Sequence, residues 1–200
     1  KISSSVKGFF NLFFPSFFSS GLLQINILIG TIIASYESGA VSYLYYAERV
    51  YQINLAIAGI VIGTVMLPQL SKYIKNNNIK ETMNLQNRAL ELSLFLSVPA
   101  AIALILASKQ IITSLFGYGS FDEQSVKNTS IALTFLAFGV PAFAVLKIFS
   151  NLFFARNNTK LPFYLSVVSV IINILISVSL FNKFGFVIIA IATSISSWAN

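Results

Sequence analysis

Six apolar stretches follow one another along this chain: Gly8 to Ser35, Val41 to Leu67, Leu90 to Phe116, Ser130 to Phe153, Leu161 to Phe181, and Phe186 to Asn200. All but the last reach the roughly 20 residues that a helix needs to cross a hydrocarbon core, and all are too long and continuous for the tilted strands of an outer-membrane barrel. In lipid a segment must satisfy its own backbone, so such stretches have to be helices. Composition agrees: 56% of residues are hydrophobic and 10% charged, against about 25% charged in a soluble domain. The expectation is an all-α integral membrane protein, a bundle of six transmembrane helices forming one unit over residues 1–200. Lys1 in place of Met, and an apolar segment still running at Asn200, suggest an internal piece of a longer chain.

The connections carry the punctuation, at Glu37-Ser38-Gly39, Lys75-Asn76-Asn77-Asn78, Gly117-Tyr118-Gly119-Ser120, Asn157-Asn158-Thr159 and Asn182-Lys183. Pro162 falls where a first helical turn tolerates it, whereas Pro15, Pro99 and Pro141 lie inside spans and are expected to kink them. The stretch from Ile79 to Leu92 mixes charged and apolar residues and is expected to lie at the inner interface.

Orientation follows from the cations. An N-terminus inside the cell puts nine of them on the cytoplasmic side, namely Lys1, Lys7, Lys72, Lys75, Lys80, Arg88, Lys147, Arg156 and Lys160, against Lys109, Lys127 and Lys183 outside. The net charge of +7 is then explained by loops meeting anionic lipid headgroups, membrane lipids rather than nucleic acid being the partner. The chain has no cysteine and no histidine, which excludes Cys/His zinc sites, thiol nucleophiles and Ser-His-Asp triads. Glu48 and Glu91 are the only carboxylates within spans, too sparse for paired acid-base work, so neither an enzyme nor a cofactor is expected.

One cation breaks the pattern. Arg49 sits well inside an apolar stretch, in the run Ser42-Tyr43-Leu44-Tyr45-Tyr46-Ala47-Glu48-Arg49, where a guanidinium costs roughly 2.5–3.5 kcal/mol at the centre of a span. It persists only where a cavity, a partner or a substrate compensates. A seam of Ser42, Tyr45, Arg49, Gln52, Ala56, Gly59 and Gly63 recurs at three- and four-residue steps. Its outer half is polar and its inner half small, as for a helix facing a wet cavity near the outside and packing on a neighbour near the inside. Two roles stay open for Arg49: a brace neutralised by a carboxylate or carbonyls, or an anion-binding group gripping a phosphate bidentately. Glu48, adjacent in sequence, points about 100° away and need not pair with it. Ser16, Ser20, Gln24 and Thr31 form a second polar stripe with Asn26 on another side, and Ser166, Ser169, Asn173 and Ser177 a third. Of these, Gln24, Asn26 and Asn173 are the candidates for cavity lining, while the serines and threonines are expected to bond between helices. Most aromatics are expected to be lipid-facing bulk, Tyr45 and Tyr46 excepted because they lie near Arg49.

The run "GAVSYLYYAERVYQ" from Gly39 to Gln52, followed by "IGTVMLPQLSK" from Ile62 to Lys72, resembles the seventh and eighth spans of the MurJ (MviN) lipid II flippases of the MOP exporter superfamily. "LLQINILIGTIIAS", "LFGYGSFD" and "FFARNNTKLP" extend the resemblance over essentially the whole chain. It implies helices seven to twelve, one lobe of a two-lobed alternating-access transporter whose N-terminal lobe would precede this segment. The cargo implied is lipid II, an undecaprenyl-diphosphate-linked peptidoglycan precursor moved between leaflets of the bacterial inner membrane. Arg49 matches a cavity arginine facing the diphosphate, and Ser42 a neighbouring cavity serine; the expected substrate-binding set is Arg49, Ser42, Tyr45, Gln52, Gln24, Asn26, Glu48 and Asn173. Gln52 and Gly30 stand where relatives carry acidic or amide groups, which counts against a coupling-ion site here. Two other readings remain: a related exporter of another polyprenyl-linked glycan or a small cation, and a membrane scaffold whose polar stripes only join helices.

Overall fold

The computed structural model describes residues 24–200, so Pro15, Ser16 and Ser20 lie outside the described residues. Every regular element within them is a helix: α1 (Gln24–Ala34), α2 (Ala40–Leu55), a π-helical turn (Ala56–Val61), α3 (Ile62–Lys75), α4 (Ile79–Leu106), α5 (Ser108–Phe116), α6 (Glu123–Ala137), α7 (Val140–Ala155), α8 (Lys160–Phe184) and α9 (Val187–Ala199). The helices α4 and α8 are each long and apolar enough to cross a bilayer, and α6 with α7 make a third such span, bent by 44° at its break.

The helices are packed as lipid requires. On α8 many of the apolar side chains face outward, Leu175 being 60% exposed, while Asn173 and Ser177 are buried. Without a hydrophobic drive between helices, close contact depends on small residues and shared hydrogen bonds. Accordingly Ala34, Ala40, Ala47, Ala132, Ala137 and Ala190 are fully enclosed in the main core. The Asn173 amide donates to Thr193 Oγ1 (3.2 Å) and Ser196 Oγ (3.4 Å) and accepts from Ser177 Oγ (3.5 Å). Ser169 donates to the Ser196 carbonyl at 2.8 Å. The third polar stripe therefore joins α8 to α9.

The break between α6 and α7 comes at Phe138 and Gly139, with Pro141 in the first turn of α7. A helix end strands carbonyls that need donors. Here α9 supplies them: the Ser194 hydroxyl bonds the carbonyls of Phe135 and Leu136, and Trp198 Nε1 bonds that of Phe138 at 3.0 Å. Pro99 and Pro68 lie inside α4 and α3. The segment Ile79–Leu92 continues into α4 as a single helix.

The connections that precede α2 and α9 meet. Glu37 Oε2 accepts from the Phe186 N–H at 2.7 Å, and the rings of Tyr43 and Phe186 pack 5.6 Å apart. At the same end Asp122, in extended conformation, caps α6 by accepting from the Ser125 N–H at 2.8 Å. Hydrogen bonds from Ser125, side chain first and then backbone, hold the Asp122 carboxyl below the usual aspartate range. Its contribution is therefore complete above the unfolded pKa and is lost as pH falls through the folded one. Amide exchange in the first turn of α6 should accelerate beyond its intrinsic rate across that acidic window. Asp122→Asn, which still caps, should remove the pH dependence and keep the protection; an unchanged profile would show that the cap does not titrate.

Candidate functional site

Arg49 projects from α2 into a cleft of about 760 Å³ walled by Gln24 and Ile27 of α1, Glu48 and Gln52 of α2, Leu136 and Phe143, and Thr193 and Ser197 of α9. Its Nη1 donates to Gln52 Oε1 at 3.3 Å, and its guanidinium carbon stands 4.7 Å from the centroid of the Tyr45 ring. Both groups are neutral. The amide and the ring aim the fork without cancelling its charge, and a cation over a tyrosine face gains about 0.5–1 kcal/mol at such an exposed site. Arg49, Tyr45 and Gln52 are all exposed, Arg49 and Gln52 on the wall of this cleft.

A smaller space of about 100 Å³ lies behind it, lined by Asn26, Gly30, Thr31, Tyr45, Glu48, Asn173 and Thr193. Glu48 and Thr193 belong to both walls. Asn26 Oδ1 is buried there with no hydrogen-bond partner among the described residues. Ser42 is set apart from the rest: it lines a third cleft, of about 660 Å³, with Tyr43, Tyr46, Phe116, Tyr118 and Phe121. Of the eight expected site residues, Gln24, Glu48, Arg49 and Gln52 thus meet at one cleft. Asn26, Tyr45 and Asn173 join Glu48 at the smaller space.

The inner half of the seam, which falls in the π-turn and α3, packs as a small-residue face. A Cβ built on Gly59 would lie 3.5 Å from Ala144 Cα and 3.5 Å from Lys147 Cβ, and one on Gly63 would collide with the Asn151 amide. Lys147 therefore sits within α7 with its stem against the π-turn. Arg49 is not the sole cation among the helices of this region.

The sequence profile of the family described as lipid II flippase MurJ matches residues 1–200. The chain belongs to the MurJ family. Probable lipid II flippases MurJ of Rhizobium meliloti (strain 1021) and Rickettsia prowazekii (strain Madrid E) are 39% identical over 200 residues and 38% identical over 186, covering 100% and 93% of this chain. Each alignment covers 37% of the relative, so the chain spans just over a third of their length. A solved lipid II flippase MurJ in an inward closed conformation superposes with a TM-score of 0.84 at 31% identity, over 98% of this chain and 42% of that one. A MATE family multidrug resistance transporter of the MOP superfamily, 18% identical, shares the fold with a TM-score of 0.79, over 96% of this chain and 42% of that one.

Within this MurJ-family segment, sequence reasoning missed Thr193 and Ser197 as walls of the arginine cleft, and the ring of aromatics around Tyr46. Phe116 and Phe121 depart from the lipid-facing role expected of most aromatics, since Tyr46 packs on them at 4.8 Å and 5.2 Å. No local pattern could reveal it, because Phe116 at the end of α5 and Phe121 in the connection after it are remote in sequence.

Proposed function

We propose that the full-length protein flips lipid II across the bacterial inner membrane by alternating access, this chain forming a six-span lobe with its N-terminus cytoplasmic. What most supports this is the position of Arg49: a guanidinium on the wall of a large cleft, bonded to Gln52 and set over the Tyr45 ring, with the Glu48 carboxylate on the same wall. A diphosphate cannot cross hydrocarbon unaided, since burying unpaired charge is very costly. Arg49 would offer it a bidentate partner while the polyprenyl tail stays in lipid. Rocking of this lobe against the N-terminal lobe would expose the site to each side in turn. No bond in the cargo changes, so the activity is transport. The cation bias, with Lys72, Lys75, Lys80, Arg88, Arg156 and Lys160 near the connections opposite the Glu37–Phe186 contact, supports the stated orientation.

The test is transfer by the full-length protein in proteoliposomes loaded with labelled lipid II on one leaflet. The labelled lipid should become accessible to a quencher on the other side well above the rate in protein-free vesicles. A rate equal to that of empty vesicles would overturn the reading.

A further inference from the structure

The 660 Å³ cleft containing Ser42 has its own chemistry. None of its lining residues is charged; six carry hydroxyls, among them Ser42, Tyr43, Tyr46 and Tyr118, and Phe116 and Phe121 supply bare rings. Its volume falls in the range of roughly 300–1,000 Å³ typical of small-molecule sites. The rings are fixed in mutually tilted planes, Tyr46 lying 50° from Phe116 and 85° from Phe121. Gly39, at φ +79°, has no Cβ, and one there would come within 2.6 Å of the Tyr43 hydroxyl oxygen, so glycine at this turn leaves room for that hydroxyl at the cleft. Tyr118 is 72% exposed at the mouth.

A neutral cavity with flat apolar faces and many hydroxyls matches a neutral ligand of the same character. A pyranose ring is such a ligand: its axial C–H groups form an apolar face that lies on an aromatic ring, and its hydroxyls exchange hydrogen bonds around the edge. Tyrosine suits this work because it joins an apolar body to a polar tip. Position adds a second argument. Ser42 lies in the same stripe of α2 as Arg49 and two turns away, about 10 Å at 1.5 Å per residue. A sugar joined directly to a diphosphate held at Arg49 would extend over that distance.

We propose that this cleft binds the sugar rings of the diphosphate-linked cargo while Arg49 holds its phosphates. The inference rests on the reading of Arg49 given above and assigns the glycan a site of its own.

Binding of lipid II and of undecaprenyl diphosphate, which lacks the sugars, should be measured on the full-length protein in nanodiscs, with undecaprenol as the reference. The wild type should prefer lipid II at least tenfold over undecaprenyl diphosphate. Tyr118→Ala, an exposed position whose truncation spares the core, should cut that preference to threefold or less, and Tyr43→Phe should reduce it in part. Arg49→Ala should weaken both lipids alike. An unchanged preference in both tyrosine variants would overturn the sugar site. Wild-type binding of neither diphosphate above undecaprenol would instead overturn the reading of Arg49, and the sugar site with it.

Discussion

Arg49→Ala in the full-length protein is expected to abolish support of growth in cells depleted of their own lipid II flippase, while the variant still accumulates in the membrane. Stability should survive because the groups released are exposed: neither Gln52 nor Tyr45 is left as a buried orphan when the guanidinium goes. Function should fail because no other described cation lines that cleft. Arg49→Lys should fall between, since it keeps a point charge and loses the fork that meets two phosphate oxygens at once. Growth curves with membrane immunoblots decide the matter. Normal growth with alanine would remove Arg49 from transport, and loss of the protein itself would make the residue a brace.

The second large effect is expected at the seam between the π-turn and α7. Gly59→Ala should be tolerated, because its Cβ would meet Ala144 Cα and Lys147 Cβ at ordinary contact distance. Gly59→Leu has nowhere to place three further carbons beside that backbone, and overpacking of this kind costs roughly 1–3 kcal/mol. Thermal unfolding in detergent should show a lowered midpoint for leucine and none for alanine. At Gly63 alanine already displaces the Asn151 amide, so Asn151→Ala should relieve Gly63→Ala. Equal midpoints for all of these variants would mean that the two helices do not meet as described.

How much of this was visible in the sequence differs residue by residue. Helical content and the apolar character of the spans were legible because lipid leaves a chain few alternatives, and Arg49 stood out because one charge in an apolar run is a one-dimensional signal. The small residues Ala56, Gly59 and Gly63 were legible for the same reason, as a pattern, although they fall in the π-turn and α3. The walls of the cleft were not. Thr193 and Ser197 are ordinary hydroxyl residues of an apolar helix, and only the packing of α9 beside α1 and α2 gives them a role. Asn173 stood out because an amide in a span is conspicuous; it lines the smaller space, and its hydrogens also go to α9, a bond invisible until the helices are paired. The start of α4 at Ile79 was obscured by charges that an inner-surface turn tolerates as readily as an interfacial segment. The π-turn has no compositional mark at all beyond Gly59.

That turn sets a constraint of an unusual kind. A π-helical turn accommodates an extra residue relative to α-helix, so deleting one residue from Ala56–Val61 could be absorbed by relaxing to ordinary helix. The hydrogen-bond ladder would survive and α2 would keep its bearing on α3, because the wider turn takes up its additional residue without additional rotation, whereas one residue removed from the α-helix on either side of it would swing α2 by about 100°. The guanidinium would then face a different neighbour although nothing near it had been altered. Its aim is governed by arithmetic, by how many α-helical residues separate it from the anchored half of its helix, and a single-codon length change there would blind it where the same deletion within the π-turn would not.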